Sequence, residues 1–195
     1  MSCGRRKLQQ FDTVFAPYQH EFRRGLSNNQ QAKGSDRKTR MKRLLRAIEG
    51  NDSVAAEQLL EAHPQLATRL ATVDHYYSRD INHRLAVDDT ALHLAAAGYR
   101  CEIVRASLGA GADVNANANG RNNASLHYAA EGYINVTTWK EPAQLATIDC
   151  LLKHGADIDI QDKNGATPLH NHLQLNFGRR TTGGTQEAWN SCIAR

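Results

Sequence analysis

Three histidines are the residues whose type and spacing first suggest chemistry. His93, His127 and His170 each follow a leucine in similar short segments of the chain. Imidazole is a common metal ligand, so three equivalent histidines could form a metal site. Equivalent positions on successive packed helices, however, lie about 10 Å apart, which is too far to share one ion. The spacing therefore predicts structural histidines and no bound metal.

The carboxylates and hydroxyls give no pattern that is typical of an enzyme. Motifs for a hydrolase nucleophile, Gly-x-Ser-x-Gly, or for a phosphate loop, Gly-x-x-x-x-Gly-Lys-Ser/Thr, do not occur in the sequence. Most aspartates lie where a side-chain oxygen would satisfy the backbone of a turn or a helix cap. His170-Asn-His172 looks superficially like a nuclease motif, but no other residue supports that function. We predict a non-catalytic protein without cofactor or small-molecule substrate.

Repeated segments show which elements position these residues. The segments Thr90-Ala-Leu-His-Leu-Ala-Ala96, Ala124-Ser-Leu-His-Tyr-Ala-Ala130 and Thr167-Pro-Leu-His170 begin alike, and Gly111-Ala-Asp-Val-Asn115 and Gly155-Ala-Asp-Ile-Asp159 follow the first two. A hydroxyl before Leu-x-x-Ala-Ala predicts a capped short helix with a small, closely packing face. Apolar residues at helical spacing then predict a second helix, and the glycines suit its left-handed C-terminal cap.

These segments resemble the ankyrin repeat, whose pattern is roughly Thr-Pro-Leu-His-x-Ala-Ala, a second helix, and Gly-Ala-Asp-Val-Asn. The resemblance covers residues 89–170, and extends more weakly to Leu44-Leu-Arg-Ala-Ile48. It implies an all-α solenoid of helix-turn-helix repeats joined by short turns or hairpins, with three to four repeats, of which the last is incomplete. It also implies that each histidine hydrogen-bonds neighbouring backbone.

Two insertions interrupt the repeat. The equivalent leucines are 48, 34 and 43 residues apart along the chain, against the family period of about 33. The extra residues lie at 69–88, which include Tyr76 and Tyr77, and at 131–142, which include Tyr133 and Trp139. Exposed aromatic residues are typical of partner-contacting protrusions. The alternative is that they cover the local core, and the sequence leaves both interpretations open.

The chain ends differ from the repeats in composition. Residues 1–50 contain 12 Lys and Arg against 4 Asp and Glu, whereas the remainder has an acidic excess. We divide the chain into a basic, flexible arm (1–40), a capping helix pair with a long insertion (41–88), ankyrin repeats (89–170) and a degenerate or truncated last repeat (171–195). The arm is either a solvated extension or an electrostatic contact.

The cysteines and the hydropathy bear on the compartment. Cys3, Cys101, Cys150 and Cys192 form no Cys-x-x-Cys pair, so we expect free thiols. No apolar run is long enough for a membrane span, and no apolar segment typical of a secretory signal follows the N-terminus. We expect a cytoplasmic protein without membrane contact, with the nucleus as the alternative compartment.

The predicted function is binding of another protein. The candidate contact residues are the turn tips, one first-helix position and the inserted aromatics: Asn117, Asn119, Arg121, Tyr128, Tyr133, Trp139, Asp162, Lys163 and Asn164. The alternative function is binding of nucleic acid or an acidic partner through the basic residues within 1–46.

Overall fold

A computed structural model describes residues 36, 38–70, 76–81, 83–117, 119–131 and 140–176. The chain divides into two units, Met1–Lys42 and Arg43–Arg195. The described residues of the first unit, 36 and 38–42, are helical, and Arg40 forms an ion pair with Asp36 one turn before it. The predicted arm therefore lies almost entirely outside the described residues.

Two helices occupy the region of the predicted capping pair. Helix α1 comprises residues 38–49, and α2 comprises Ser53–Ala62. The Asp52 carboxylate caps α2 by accepting a hydrogen bond from the backbone N of Ala55 at 3.0 Å. A single 3-10 turn, Pro64–Leu66, follows α2. Leu44, Ile48 and Leu60 are buried and provide the apolar face of this pair.

The first insertion contains a short β-hairpin. Strands β1 (Tyr76–Ser78) and β2 (His83–Leu85) pair antiparallel, with Ser78 opposite His83. Ile81 in the connecting turn is buried, and a Cβ built on Gly98 would lie 2.9 Å from its Cδ1. Glycine at position 98 therefore permits the close approach of the insertion to the first repeat.

The repeats consist of inner and outer helices. The inner helices are α3 (Ala91–Ala97), α5 (Ser125–Ala130) and α7 (Pro168–Asn176), which pack on one another in chain order. The outer helices, α2, α4 (Cys101–Gly109) and α6 (Glu141–Lys153), pack in a second layer. Together with α1 they make seven α-helices within the described ranges, and the all-α repeat fold predicted from the sequence is confirmed.

Local sequence explains these elements. The inner helix α3 is buried along Ala91–Ala96, since alanines allow close helix packing and Leu92 and Leu94 fill the core. Gly111 and Gly155 have φ of 92° and 84°, the left-handed conformation that ends each outer helix. The predicted glycine caps are therefore confirmed.

Candidate functional site

Histidines organise the turn before each inner helix. His93 Nδ1 accepts a hydrogen bond from Thr90 N at 2.9 Å, and His127 Nδ1 accepts one from Ala124 N at 3.1 Å. His127 Nε2 lies 3.1 Å from the carbonyl of Ala166 in the following repeat. Because a carbonyl only accepts, Nε2 carries the ring proton. Burial lowers the pKa of His93 and of His127, which favours the neutral rings that this arrangement needs.

The same scheme connects successive turns. His93 Nε2 lies 3.0 Å from the carbonyl oxygen of Ala116 and 3.1 Å from that of Asn123. Asn115 adds a second connection, since its amide donates to Gly155 O at 3.1 Å and accepts from Asp157 N at 2.9 Å. The role that the ankyrin resemblance implied for these histidines, bonding to neighbouring backbone, is confirmed by these contacts.

Asn119 is the centre of the first turn tip. Its amide nitrogen donates to Asp89 Oδ1 at 2.9 Å and to Asn123 O at 2.7 Å. Its amide oxygen accepts from Arg121 N at 3.1 Å and from Asn123 N at 3.0 Å. With four hydrogen bonds to three residues and 1 % exposure, this side chain fixes the conformation of the tip.

A buried polar cluster lies beneath that tip. Asp89 accepts hydrogen bonds from Ala86 N at 2.7 Å and from the Tyr128 hydroxyl at 3.3 Å. His83 of the hairpin meets the Tyr128 ring edge-on, with 4.7 Å between ring centroids. Burial raises the pKa of Asp89 and of Tyr128, and it lowers the pKa of His83 to about 4. The cluster therefore links the insertion to the first two repeats.

Two of the predicted contact residues are buried, and their prediction as surface residues is wrong. The side chains of Asn119 and Tyr128 are each 1 % exposed, because both bond to Asp89 in the interior. Sequence position alone could not reveal this, since it depends on where Asp89 lies. Tyr133 and Trp139 lie outside the described residues.

The other predicted contact residues lie at two adjacent turn tips. Asn117, Arg121, Lys163 and Asn164 are exposed, and Asp162 is half-buried. Lys163 N donates to Arg121 O at 3.0 Å, which joins the two tips. We call these five residues the tip surface.

Asp162 holds the second tip in shape. Its Oδ1 accepts from Asn164 N at 2.7 Å and from Ala166 N at 2.9 Å. Slight burial acts to raise the pKa of Asp162, but the hydrogen bonds from Ala166 and Asn164 outweigh it and lower that pKa. The carboxylate is thus ionised at neutral pH and engaged with its own turn.

A polar cleft of about 290 Å³ adjoins the tip surface. Its lining comprises Arg121, Asn123, Glu131, residues 162–164 and Asn171. Asn123 lines this cleft and is only 5 % exposed. A side-chain amide can donate to or accept from a ligand that enters the cleft. Sequence reasoning missed Asn123, Glu131 and Asn171, because their proximity depends on stacking of the repeats.

The described ranges contain no group of three or more His, Cys, Asp or Glu side chains that could hold a metal ion. The buried titratable groups nearest the tips, Asp89 and His93, have their hydrogen-bonding atoms engaged with the protein. These hydrogen bonds connect Asp89 and His93 to the turn before α3 and to the turn tip after α4.

Inner and outer helix layers, glycine-capped outer helices and histidine-bonded turns together define a helical repeat protein. The ankyrin-repeat family model matches the chain at residues 88–119 and 121–163. Repeats of this family are generally protein-interaction modules. The resemblance found in the sequence is therefore confirmed.

No curated protein matches the chain as a relative. Within the part of the chain that the structure describes, no helix has the length and apolar character needed to cross a bilayer.

Proposed function

We propose that this chain is a non-catalytic module that binds a partner protein through the tip surface and its adjoining cleft. One observation carries the proposal: two adjacent repeats are joined at their tips and present Arg121 and Lys163 outward. Both side chains are exposed, and the Arg121 guanidinium also interacts electrostatically with Asp89, His83 and Tyr128 beneath the tip. Because hydrogen bonds already fix the backbone of the two tips, little backbone freedom is lost on binding, which favours affinity.

The cleft supports the same proposal. Asn123 lines the cleft together with the cationic residues Arg121 and Lys163 and with Asn171. A peptide segment offers both carbonyl and N–H groups, and an amide can bond either of them. We expect the partner to insert a polar side chain or a stretch of backbone here.

Paired charge variants test the assigned surface. Pull-down and affinity measurement compare wild-type chain with Arg121→Ala/Lys163→Ala. The matched control is Arg105→Ala/Lys153→Ala, which removes two cations from the exposed sides of α4 and α6. We expect the tip variant to weaken partner binding at least about tenfold, since hot-spot truncations cost at least about 2 kcal/mol and about 1.4 kcal/mol is tenfold. Equal binding by both double variants would refute the assignment of the tip surface as the binding site.

A second function, binding of nucleic acid or an acidic partner, is favoured by one feature, the basic excess of residues 1–50. It predicts that affinity for a labelled DNA duplex falls steeply with salt, and that removal of residues 1–40 abolishes it. DNA retention that is unchanged by the deletion would contradict this alternative.

We also propose that residues 41–88 cap the repeat array at its N-terminal end and that residues 171–195 belong to a degenerate or truncated last repeat. The burial of Leu44 and Ile48, and the bond from Arg100 to the Glu49 carbonyl at 3.2 Å, support the N-terminal cap. A cytoplasmic location stays a prediction from the sequence.

A further inference from the structure

Two cysteines that are far apart in sequence lie on neighbouring outer helices. Cys101 is the first residue of α4, and Cys150 lies near the end of α6. Helices α4 and α6 belong to successive repeats and pack against each other. This proximity could not be predicted from the sequence, because 48 residues lie between the two cysteines.

The contacts of Cys101 bring it to the turn of α6 that carries Cys150. The Cys101 thiol lies 3.5 Å from the carbonyl oxygen of Ala146. Ala146 precedes Cys150 by four residues, so the two share one helix face. Since the Cα–Cβ bonds of a helix tilt toward its N-terminus, the Cys150 side chain leans toward that same carbonyl.

The electrostatic environment of Cys150 agrees with this placement. Burial raises its pKa to about 11, and the next largest cause is the neighbouring Cys101 thiol, which also raises it. Cys150 is 5 % exposed, whereas Cys101 is only partly buried. The Cys101 thiol is thus accessible to a small oxidant, whereas the Cys150 thiol is shielded from it.

We propose that Cys101 and Cys150 form a reversible disulfide that ties α4 to α6 when the protein meets a peroxide. The Cys101 sulfur attacks the peroxide: an S–O bond forms, the O–O bond breaks, and water leaves. This step oxidises Cys101 to a sulfenic acid and reduces the peroxide.

The second step uses the buried thiol as the resolving group. The Cys150 sulfur attacks the sulfenic sulfur, the S–S bond forms, the S–O bond breaks, and the Cys150 proton leaves with the departing hydroxide as water. In balance, two thiols and one hydrogen peroxide give one disulfide and two waters. A dithiol reductant reverses the change by thiol–disulfide exchange.

The disulfide would join the outer helices of two successive repeats. It would therefore restrain the spacing of the repeats whose turns carry Arg121 and Lys163, without touching either side chain. Cross-linking a folded pair of elements also limits the unfolded chain and stabilises the array.

The test uses the full chain with Cys3→Ser and Cys192→Ser, so that Cys101 and Cys150 are the remaining thiols. The folded protein is treated with stoichiometric hydrogen peroxide, its free thiols are alkylated, and peptides are mapped without reduction. We expect one intramolecular cross-linked peptide pair, lighter by two hydrogen atoms and restored by dithiothreitol. Alkylation of both thiols, over-oxidation of Cys101 with Cys150 free, or cross-links between chains would overturn the proposal.

A further variant and a melting measurement complete the design. Adding Cys150→Ala should leave a Cys101 sulfenic acid that dimedone traps, whereas the parent should trap little. The oxidised parent should melt at least about 5 °C above its reduced form. If it melts below the reduced form, the bond does not fit the native packing, and the proposal fails even where the alanine variant does not fold.

Discussion

Replacing Asn119 by alanine should destabilise the protein more than any other change at the turn tips. The substitution removes four hydrogen bonds of 2.7–3.1 Å made by one side chain that is 1 % exposed. At a net value of about 1 kcal/mol for each, the loss is roughly 3–4 kcal/mol. The upper figure is favoured because Asp89 then keeps a buried carboxylate with one fewer donor.

Urea unfolding followed by circular dichroism measures this loss. Asn117→Ala is the matched control, because Asn117 is exposed, and we expect it to change the unfolding free energy by less than about 0.5 kcal/mol. Asn119→Asp should be as harmful as alanine despite its similar shape, since it replaces the donor to Asp89 by a second acceptor. A loss below about 1 kcal/mol for Asn119→Ala would refute Asn119 as the centre of the tip.

Three further predictions concern stability. The pKa of His83 is about 4 in the folded protein against an ordinary 6.5, so its neutral form contributes fully above pH 6.5 and stability is lost as the pH falls toward 4. His83→Phe should remove about 3 kcal/mol of this loss of unfolding free energy in urea titrations at several pH values. An unchanged pH profile would contradict the burial of His83. Gly155→Ala should lower the free energy of unfolding by about 1–2 kcal/mol, because φ at this position is 84°. The control Gly120→Ala should have no measurable effect, because the position has open space and no positive φ. Equal effects of the two variants in thermal melts would argue against the left-handed cap. Leu126→Ala should lower the free energy of unfolding by roughly 2–5 kcal/mol, since Leu126 is buried in α5. A loss under about 1 kcal/mol in denaturant unfolding would mean that α5 is not part of the core.

Sequence reasoning succeeded where the determining interactions are local or repeated. The glycine caps at Gly111 and Gly155, and the histidine-bonded turns at His93 and His127, follow from short motifs whose geometry is set within a few residues. Such features recur in each repeat, so one motif predicts several positions.

Sequence reasoning failed where segments distant in the chain determine the environment of a side chain. Tyr128 is a surface candidate in sequence, but Asp89 and the hairpin residue His83 enclose it from other parts of the chain. The hairpin itself could not be predicted, because its strands are only three residues each and give no periodic signal. The cleft beside Asn123 likewise exists only after the repeats have stacked.

The most direct test of the central claim is hydrogen–deuterium exchange of the full chain, free and bound to a partner protein captured by pull-down. We predict slower exchange on binding at residues 117–123 and 162–165, which contain the tip surface, with little change in α2, α4 and α6. Protection that is confined to those outer helices, with the tips unchanged, would contradict binding through the tip surface.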